Sequence, residues 1–347
     1  MFNLLASMSR FFSALRNPWS TGSSAGLPWP LATSAPAPVT AIATGSAAAP
    51  SAPTAASPAA PRDPDRHLAG GWGADVLTGG NGNDTLDGGM GNDTLDGGAG
   101  NNRLYGGMGN DRISAGHGHN IVDAGMGDDL VTLGNGRNEV QGGMGNDRIT
   151  AGNGGNRIDA GMGDDQVSTG SGDDTLEGGM GNDVLSAGAG SDTYRFGRAF
   201  GADVIDNRDA GTSTDRVVFD PASAIGAERL WFRRDGSDLV VEALGTGEGA
   251  GSQPGSSWMT WDPVNGHRSG GSNAQQEGSI TLKNWYVDPA SQVDLFQDAD
   301  GRALQKGQVD GLVSAMAAFG GTPASLASLD SAQRHQLDAV IARTWAA

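Results

Sequence analysis

The chain contains no cysteine, which excludes disulfides and thiolate-held zinc or iron–sulfur sites, so any metal must be met by oxygen, imidazole or thioether donors. Aromatic residues make up only 6% of it. A core built on bulky side chains is therefore excluded over most of the length, and what core exists must be thin and laid down by a regular backbone. No apolar run approaches the roughly 20 residues of a membrane span. Cationic side chains are scarce too: 22 Lys plus Arg stand against 40 Asp plus Glu, a net charge of −18, which repels nucleic acid and anionic lipid and attracts cations. What the chain holds in excess is glycine, 58 of 347 residues, more than twice the ordinary share of about 7%. An ordinary close-packed enzyme does not read this way, and oxygen ligands for a hard cation become the first role to look for.

Composition changes sharply along the chain. Residues 1 to about 20 interleave Phe2, Leu4, Leu5, Met8, Phe11, Phe12 and Leu15 with Arg10 and Arg16, a spacing compatible with a short amphipathic helix. Arg16 interrupts the apolar stretch and no clean cleavage site follows, so the segment makes a poor secretory signal. From there to residue 66 Ala, Pro, Ser and Thr dominate, a composition that cannot bury enough surface to offset backbone entropy and predicts a disordered linker.

From Gly70 to Arg195 the chain repeats every nine residues, fourteen units without an insertion, beginning GGWGADVLT, GGNGNDTLD, GGMGNDTLD. Positions two and four are glycine in every unit, which predicts a tight turn with unusual backbone angles in each. Position eight is Leu, Ile or Val in thirteen units and Tyr194 in the last, the inward side chain of a three-residue strand. A second period of eighteen overlies the first: Met90, Met108, Met126, Met144, Met162 and Met180 recur at position three in alternate units, with Trp72 opening the series. The structural turn is thus two units, with one strand in each of two facing sheets and loops along both edges.

Position six carries the chemistry. One edge reads Asp75, Asp93, Asp111, Asp129, Asp147, Asp165 and Asp183; the other reads Asp84, Asn102, Asn120, Asn138, Asn156, Asp174 and Asp192. Stacked turns bring like carboxylates within a strand spacing of ~4.8 Å, and without a cation such a ladder repels itself. Calcium, taking six to eight oxygens, can share carboxylates from two loops together with their carbonyls. Turn capping by Asx residues is the competing reading, but it leaves the two glycines before each carboxylate unexplained. An Asn keeps a carbonyl oxygen and loses the charge, so the Asn-rich edge is expected to bind calcium weakly or not at all, unless backbone carbonyls suffice and Asn and Asp are interchangeable there; its side chains could instead hydrogen-bond along the stack.

These units match G-G-x-G-x-D-x-U-x and resemble the RTX, or haemolysin-type calcium-binding, repeat family. The resemblance implies a right-handed parallel β-roll in an all-β chain, with Ca2+ held between stacked loops by the ten aspartates above. It also implies a bacterial protein that is secreted and extracellular, exported by the type I secretion machinery through an uncleaved C-terminal signal.

After Phe196 a different β pattern begins, with DVIDNR at 203, DRVVFD at 215, LWFRR at 230, DLVVEA at 238 and SITLKNWYV at 279. We read 196–305 as a smaller β-rich post-repeat domain, resembling the domain that often follows RTX repeats, with an inserted Gly/Ser-rich loop at about 245–278 around Trp258 and Trp261. The tail, 306–347, predicts two amphipathic helices and is the candidate secretion signal. The first presents Val309, Leu312, Val313, Met316 and Phe319 and stops at Gly320 and Gly321; the second follows Asp330 as N-cap and presents Leu337, Val340, Ile341 and Trp345.

Other motifs carry less. The Met row suggests a soft-metal site, but duplication of an eighteen-residue ancestor explains it more simply; if exposed, it is a narrow apolar stripe able to meet a partner. His117 and His119 are solvated loop residues on this reading. Gly22 to Gly26 fits G-x-S-x-G without the strand and helix of a nucleophile elbow, and no H-E-x-x-H zinc motif is present. Asp298 to Gly301 starts like an EF-hand loop but has Val309 where the glutamate belongs. The expectation is a non-enzymatic calcium-binding protein. The alternatives are a calcium-dependent adhesin or surface-layer component meeting a cell surface or polymer, and a toxin- or hydrolase-associated protein.

Overall fold

The computed structural model describes residues 63–209, 213–244, 276–321 and 329–345. The N-terminal segment to residue 62, with the Gly22 to Gly26 match, and the body of the inserted loop, with Trp258 and Trp261, lie outside the described residues.

Each repeat contributes to one of two facing parallel sheets. Sheet one stacks β1 (His67–Trp72), β3 (Thr85–Met90), β5 (Arg103–Met108), β7 (Ile121–Met126), β9 (Glu139–Met144), β11 (Arg157–Met162), β13 (Thr175–Met180) and β15 (Thr193–Phe196). Sheet two stacks β2 (Val76–Thr78), β4 (Thr94–Asp96), β6 (Arg112–Ala115), β8 (Leu130–Leu133), β10 (Arg148–Ala151), β12 (Gln166–Ser168) and β14 (Val184–Ser186). The register is the eighteen-residue period: Leu86 lies beside Leu104 and Ile149 beside Val167. Position-eight side chains alternate with polar neighbours, so the pleat turns all of them inward. From Leu86 through Leu185 they are at most 1% exposed. The core is one row of branched aliphatics per sheet, half-open at Leu77 and closed at the far end by Tyr194.

Two local expectations need correction. Three-residue strands hold only for sheet two, whose repeat strands have three or four residues; those of sheet one from β1 to β13 run on to position three, pairing Gly71 with Gly89 and Trp72 with Met90. The paired glycines also behave differently on the two edges. Both have positive φ in every Asp-edge loop, for example Gly89 at 97° and Gly91 at 125°, whereas Gly116, Gly134, Gly152 and Gly170 on the other edge lie outside the left-handed region. At Gly134, Gly152 and Gly170 close approach demands glycine instead: a Cβ on Gly134 would sit 2.8 Å from the Gly116 backbone.

Both sheets continue past the repeats. β16 (Gly201–Ile205) adds in parallel to β14, and β17 (Arg216–Phe219) to β15. Sheet two then ends in β20 (Gln276–Leu282) and the antiparallel β19 (Asp238–Leu244) and β18 (Leu230–Asp235); sheet one ends in β21 (Leu295–Gln297) and the antiparallel β22 (Ala303–Gln305). This cap supplies the aromatic core the roll lacks. Phe196, Phe200 and Phe219 cluster at 5.0 to 6.2 Å between ring centres, and Phe232 meets Phe296 at 5.3 Å and Trp345 at 6.2 Å. Helix α1 (Lys306–Ala318) buries Val309, Leu312 and Met316, and α2 (Ser331–Thr344) buries Leu337 and Ile341. Asp330 caps α2 by accepting from the Gln333 N–H, and the Gln333 side chain returns the bond. No helix among the described residues is long and apolar enough to cross a membrane.

Candidate metal centre

Loops running from sheet one to sheet two form the first edge, and each places its position-six aspartate just before the sheet-two strand. The backbone N–H of Asp75 donates to Oδ1 of Asp93 at 2.8 Å, Asp93 to Asp111 at 2.7 Å, and so on through Asp165 to Asp183 at 2.8 Å. One oxygen of each carboxylate from Asp93 to Asp183 is thereby satisfied. The other, Oδ2, is buried and has no hydrogen-bond partner in any of the seven. Among the described residues no Lys or Arg pairs with them. Burial pushes Asp129 up to about 6 and Asp147 and Asp183 up to about 7; the accepted backbone N–H opposes this and neighbouring carboxylates add to it. Buried acceptors left in this state are costly unless something positive meets them.

Loops returning from sheet two to sheet one form the second edge, and here the residue type decides the outcome. Asp84, Asp174 and Asp192 again leave Oδ2 buried and unpartnered. The four asparagines do not. Asn138 Nδ2 donates to the carbonyls of Gly134 and Gly136, both at 3.2 Å, and to Oδ1 of Asn156 at 2.9 Å. Asn102, Asn120 and Asn156 do the same with the glycines four and two residues before them and the next rung's oxygen. Three oxygens therefore converge on one amide nitrogen. Asp93 Oδ2 and Asn102 Nδ2 occupy equivalent places, each overhanging the position-one glycine: a Cβ on Gly88 would lie 2.5 Å from the former, one on Gly97 3.0 Å from the latter. Where the asparagine offers a donor, the aspartate offers another acceptor, a set that a cation would reconcile.

A family profile described as the RTX calcium-binding nonapeptide repeat, four copies long, matches at 69–104, 97–131, 105–140, 132–167, 141–176 and 159–197. Residues 69–197 are an RTX calcium-binding repeat array. No curated protein matches the chain. The RTX array brings all ten predicted aspartates into its two ladders, six gaps between seven carboxylates on the first edge and an Asp174/Asp192 gap on the second. No trio of His, Asp or Glu side chains converges among the described residues; the donor set is carboxylate pairs plus loop carbonyls, which suits a hard, many-coordinate dication.

The ladders also run past the array in ways the nine-residue count misses. Asp183 N–H donates to Oδ1 of Asp203 at 2.8 Å, and Asp203 Oδ2 is buried and unpartnered. On the second edge Asp192 N–H donates to Asp215 Oδ1 at 3.0 Å, but Asp215 Oδ2 accepts from Asn207 Nδ2 at 2.8 Å, and Asn207 Oδ1 accepts from the Tyr194 hydroxyl at 2.9 Å. At the other end Arg66 holds the place of a rung, its N–H on Asp84 Oδ1 at 2.7 Å. His117 and His119 are exposed, and their Nδ1 atoms lie 3.1 and 3.2 Å from the Asn135 and Arg137 backbone nitrogens of the next turn. Asp298 is a turn organiser: it accepts from the backbone of Ala227, Asp300 and Arg302 and pairs with the Arg302 side chain.

Proposed function

We propose that this is a secreted calcium-binding RTX protein whose roll folds when calcium reaches it outside the cell. The observation that carries the reading is the row of buried Oδ2 atoms on Asp75, Asp93, Asp111, Asp129, Asp147, Asp165 and Asp183, repeated at Asp84, Asp174 and Asp192, with no donor to meet them. Each aspartate pair, with the carbonyls of the glycines four and two residues before its first member, would hold one ion; the six first-edge gaps and Asp174/Asp192 are the seven strong sites. Bound calcium supplies fixed positive charge and six to eight coordination positions. The protein supplies position: parallel pairing sets the rung spacing, and the backbone N–H of each rung fixes the next carboxylate.

In calcium-poor cytosol the acidic array stays unfolded and competent for export; at about 1 mM calcium, sites with Kd of roughly 0.1 to 1 mM each stabilise the fold by about 0.4 to 1.4 kcal/mol. Summed over the strong sites, that is comparable with the stability of a whole domain. The role has no catalytic step. Far-UV circular dichroism tests it: β signal is expected in millimolar calcium and largely lost in chelator, with magnesium a poor substitute, and identical spectra in calcium and chelator would refute it. Type I export is expected to fail when residues 306–347 are removed and to survive removal of residues 1–60.

One observation favours a calcium-dependent adhesin or surface-layer component as second reading. The in-register Met row lies along the first edge at 39 to 49% exposure and Trp72 at its end is 88% exposed, an apolar line that folding in calcium would present. A dilute-solution mass in calcium separates a monomer from an assembling array.

A further inference from the structure

The family match ends at residue 197, yet the next loop has the form of a repeat. FGADVI from Phe200 to Ile205 parallels WGADVL from Trp72 to Leu77 in the first unit, displaced from the nine-residue frame by the two extra residues Phe196 and Gly197. In space the displacement disappears. Val204 and Ile205 pair with Val184 and Leu185, a step of twenty residues where the repeats step eighteen. The Asp183 N–H reaches Asp203 Oδ1 at 2.8 Å, as Asp165 reaches Asp183, and Ala202 N–H reaches Asn182 Oδ1 at 3.0 Å, as Asn182 reaches Asp164 at 2.8 Å. Gly201 takes φ 79° over Gly181, and Ala199 takes φ 55° where the repeats carry their position-two glycine. A non-glycine residue held in the left-handed region is a strained feature kept by its surroundings. Asp203 is 1% exposed, and its Oδ2, like that of the fully buried Asp183, has no partner.

We propose that Asp203 is an eighth rung of the first edge and that Asp183 and Asp203, with the carbonyls of Gly179 and Gly181, bind a calcium ion that fastens the roll to its cap. The proposal rests on the calcium reading above and extends it beyond the recognised repeats. Its structural meaning lies in the two junctions between roll and cap. Where β15 meets β17, Asn207 and Tyr194 bolt Asp215 in place with hydrogen bonds. Where β14 meets β16, two carboxylates face each other with no such bolt, and β16 is the strand through which sheet two passes to β20, β19 and β18. At the β15/β17 junction the last carboxylate, Asp215, is held by an amide, although Asp192 keeps an unpartnered Oδ2; at the β14/β16 junction neither carboxylate has such a partner, and a metal ion would take that place.

Native mass spectrometry of the full chain in calcium counts the ions. Asp203→Asn is expected to carry one ion fewer than wild type with an unchanged circular dichroism spectrum, because Asn102, Asn120, Asn138 and Asn156 show that an amide is accommodated at such a rung. Asp206→Asn removes the same charge three residues away and is expected to keep the wild-type count. Equal counts for Asp203→Asn and wild type, or the same loss in both variants, overturn the proposal. A wild type that binds no calcium overturns the calcium reading itself, a separate failure. Should Asp203→Asn not fold, Asp203→Glu decides: its last ion is expected to bind at least tenfold more weakly, and a titration superimposable on wild type overturns the proposal.

Discussion

The two edges of the roll are built from one nonapeptide, and at position six they differ by the exchange of an oxygen for an NH2 group. On the first edge, Asp111, Asp129 and Asp147 each leave an acceptor buried without a partner; on the second, Asn120 and Asn138 place a donor at the equivalent point and satisfy three oxygens with it. The asparagine amide does locally what a cation would do. Four consecutive turns, from Asn102 to Asn156, have a second edge complete in protein atoms alone. The Asp ladder and the Asn ladder share the same strands, so on the proposed calcium reading the hydrogen-bonded edge is a template on which the other edge would close.

The largest effect that breaks the comparison comes from exchanging residue types between edges. Asn138→Asp removes three donated bonds and buries an unpaired acceptor, a loss of about 1 to 3 kcal/mol in chelator, and it is expected to create calcium dependence there. Asp129→Asn is expected to weaken the Asp111/Asp129 and Asp129/Asp147 sites and to reduce sensitivity to chelator. Calcium titration followed by circular dichroism reads both; two silent variants would make the edges equivalent.

A smaller effect follows from protonation. In the metal-free fold burial raises Asp129 and Asp165 to about 6 and Asp147, Asp183 and Asp192 to about 7, against an unfolded value near 3.9. A raised folded pKa means the fold holds the proton more tightly, so this stabilisation is complete below about pH 4 and is lost as pH rises through about 6 to 7. In chelator the β signal is therefore expected to grow as pH falls from 8 to 5, and calcium binding to release protons between pH 6 and 8. The Asn turns have no such proton to hold. A chelator spectrum that stays flat from pH 8 to 5 contradicts the assignment of strain to these carboxylates.

Much of this was readable in the residues. The eighteen-residue period sets the stacking, and position six sorts itself into an aspartate and an asparagine series without coordinates. The tail helices begin and end where Asp330, Gly320 and Gly321 place them. What escaped did so because parallel pairing keeps register in space and not in residue number. Two inserted residues hide Asp203 from a count of nine, and the twenty-three residues from Asp192 to Asp215 hide the next rung. Arg66 was likewise assigned to the linker, although its backbone joins the ladder one turn before Asp84. Composition shifts after Phe196 suggested a separate domain, because apolar content tracks core thickness; hydrogen bonding between neighbouring strands is blind to that change and carries both sheets straight through it.

The most local test concerns the glycines that the repeat treats as identical. Gly125, in a first-edge loop, has φ 110°, and a Cβ there would meet the Gly107 carbonyl oxygen at 2.1 Å. Gly125→Ala is strained by conformation and by contact at once, and is expected to abolish the cooperative melt in calcium. Gly116, its counterpart on the second edge, lies outside the left-handed region, and the nearest atom to a Cβ is the Gly98 carbonyl oxygen at 3.0 Å. Relief of unfolded-chain entropy, about 0.4 to 1 kcal/mol for Gly to Ala, offsets the few tenths of an ångström that this carbonyl must yield. Gly116→Ala is therefore expected to melt within a few degrees of wild type. Equal damage from both substitutions would mean that the loops of the two edges share one backbone, and the Asn edge would then differ from the Asp edge in its side chains alone.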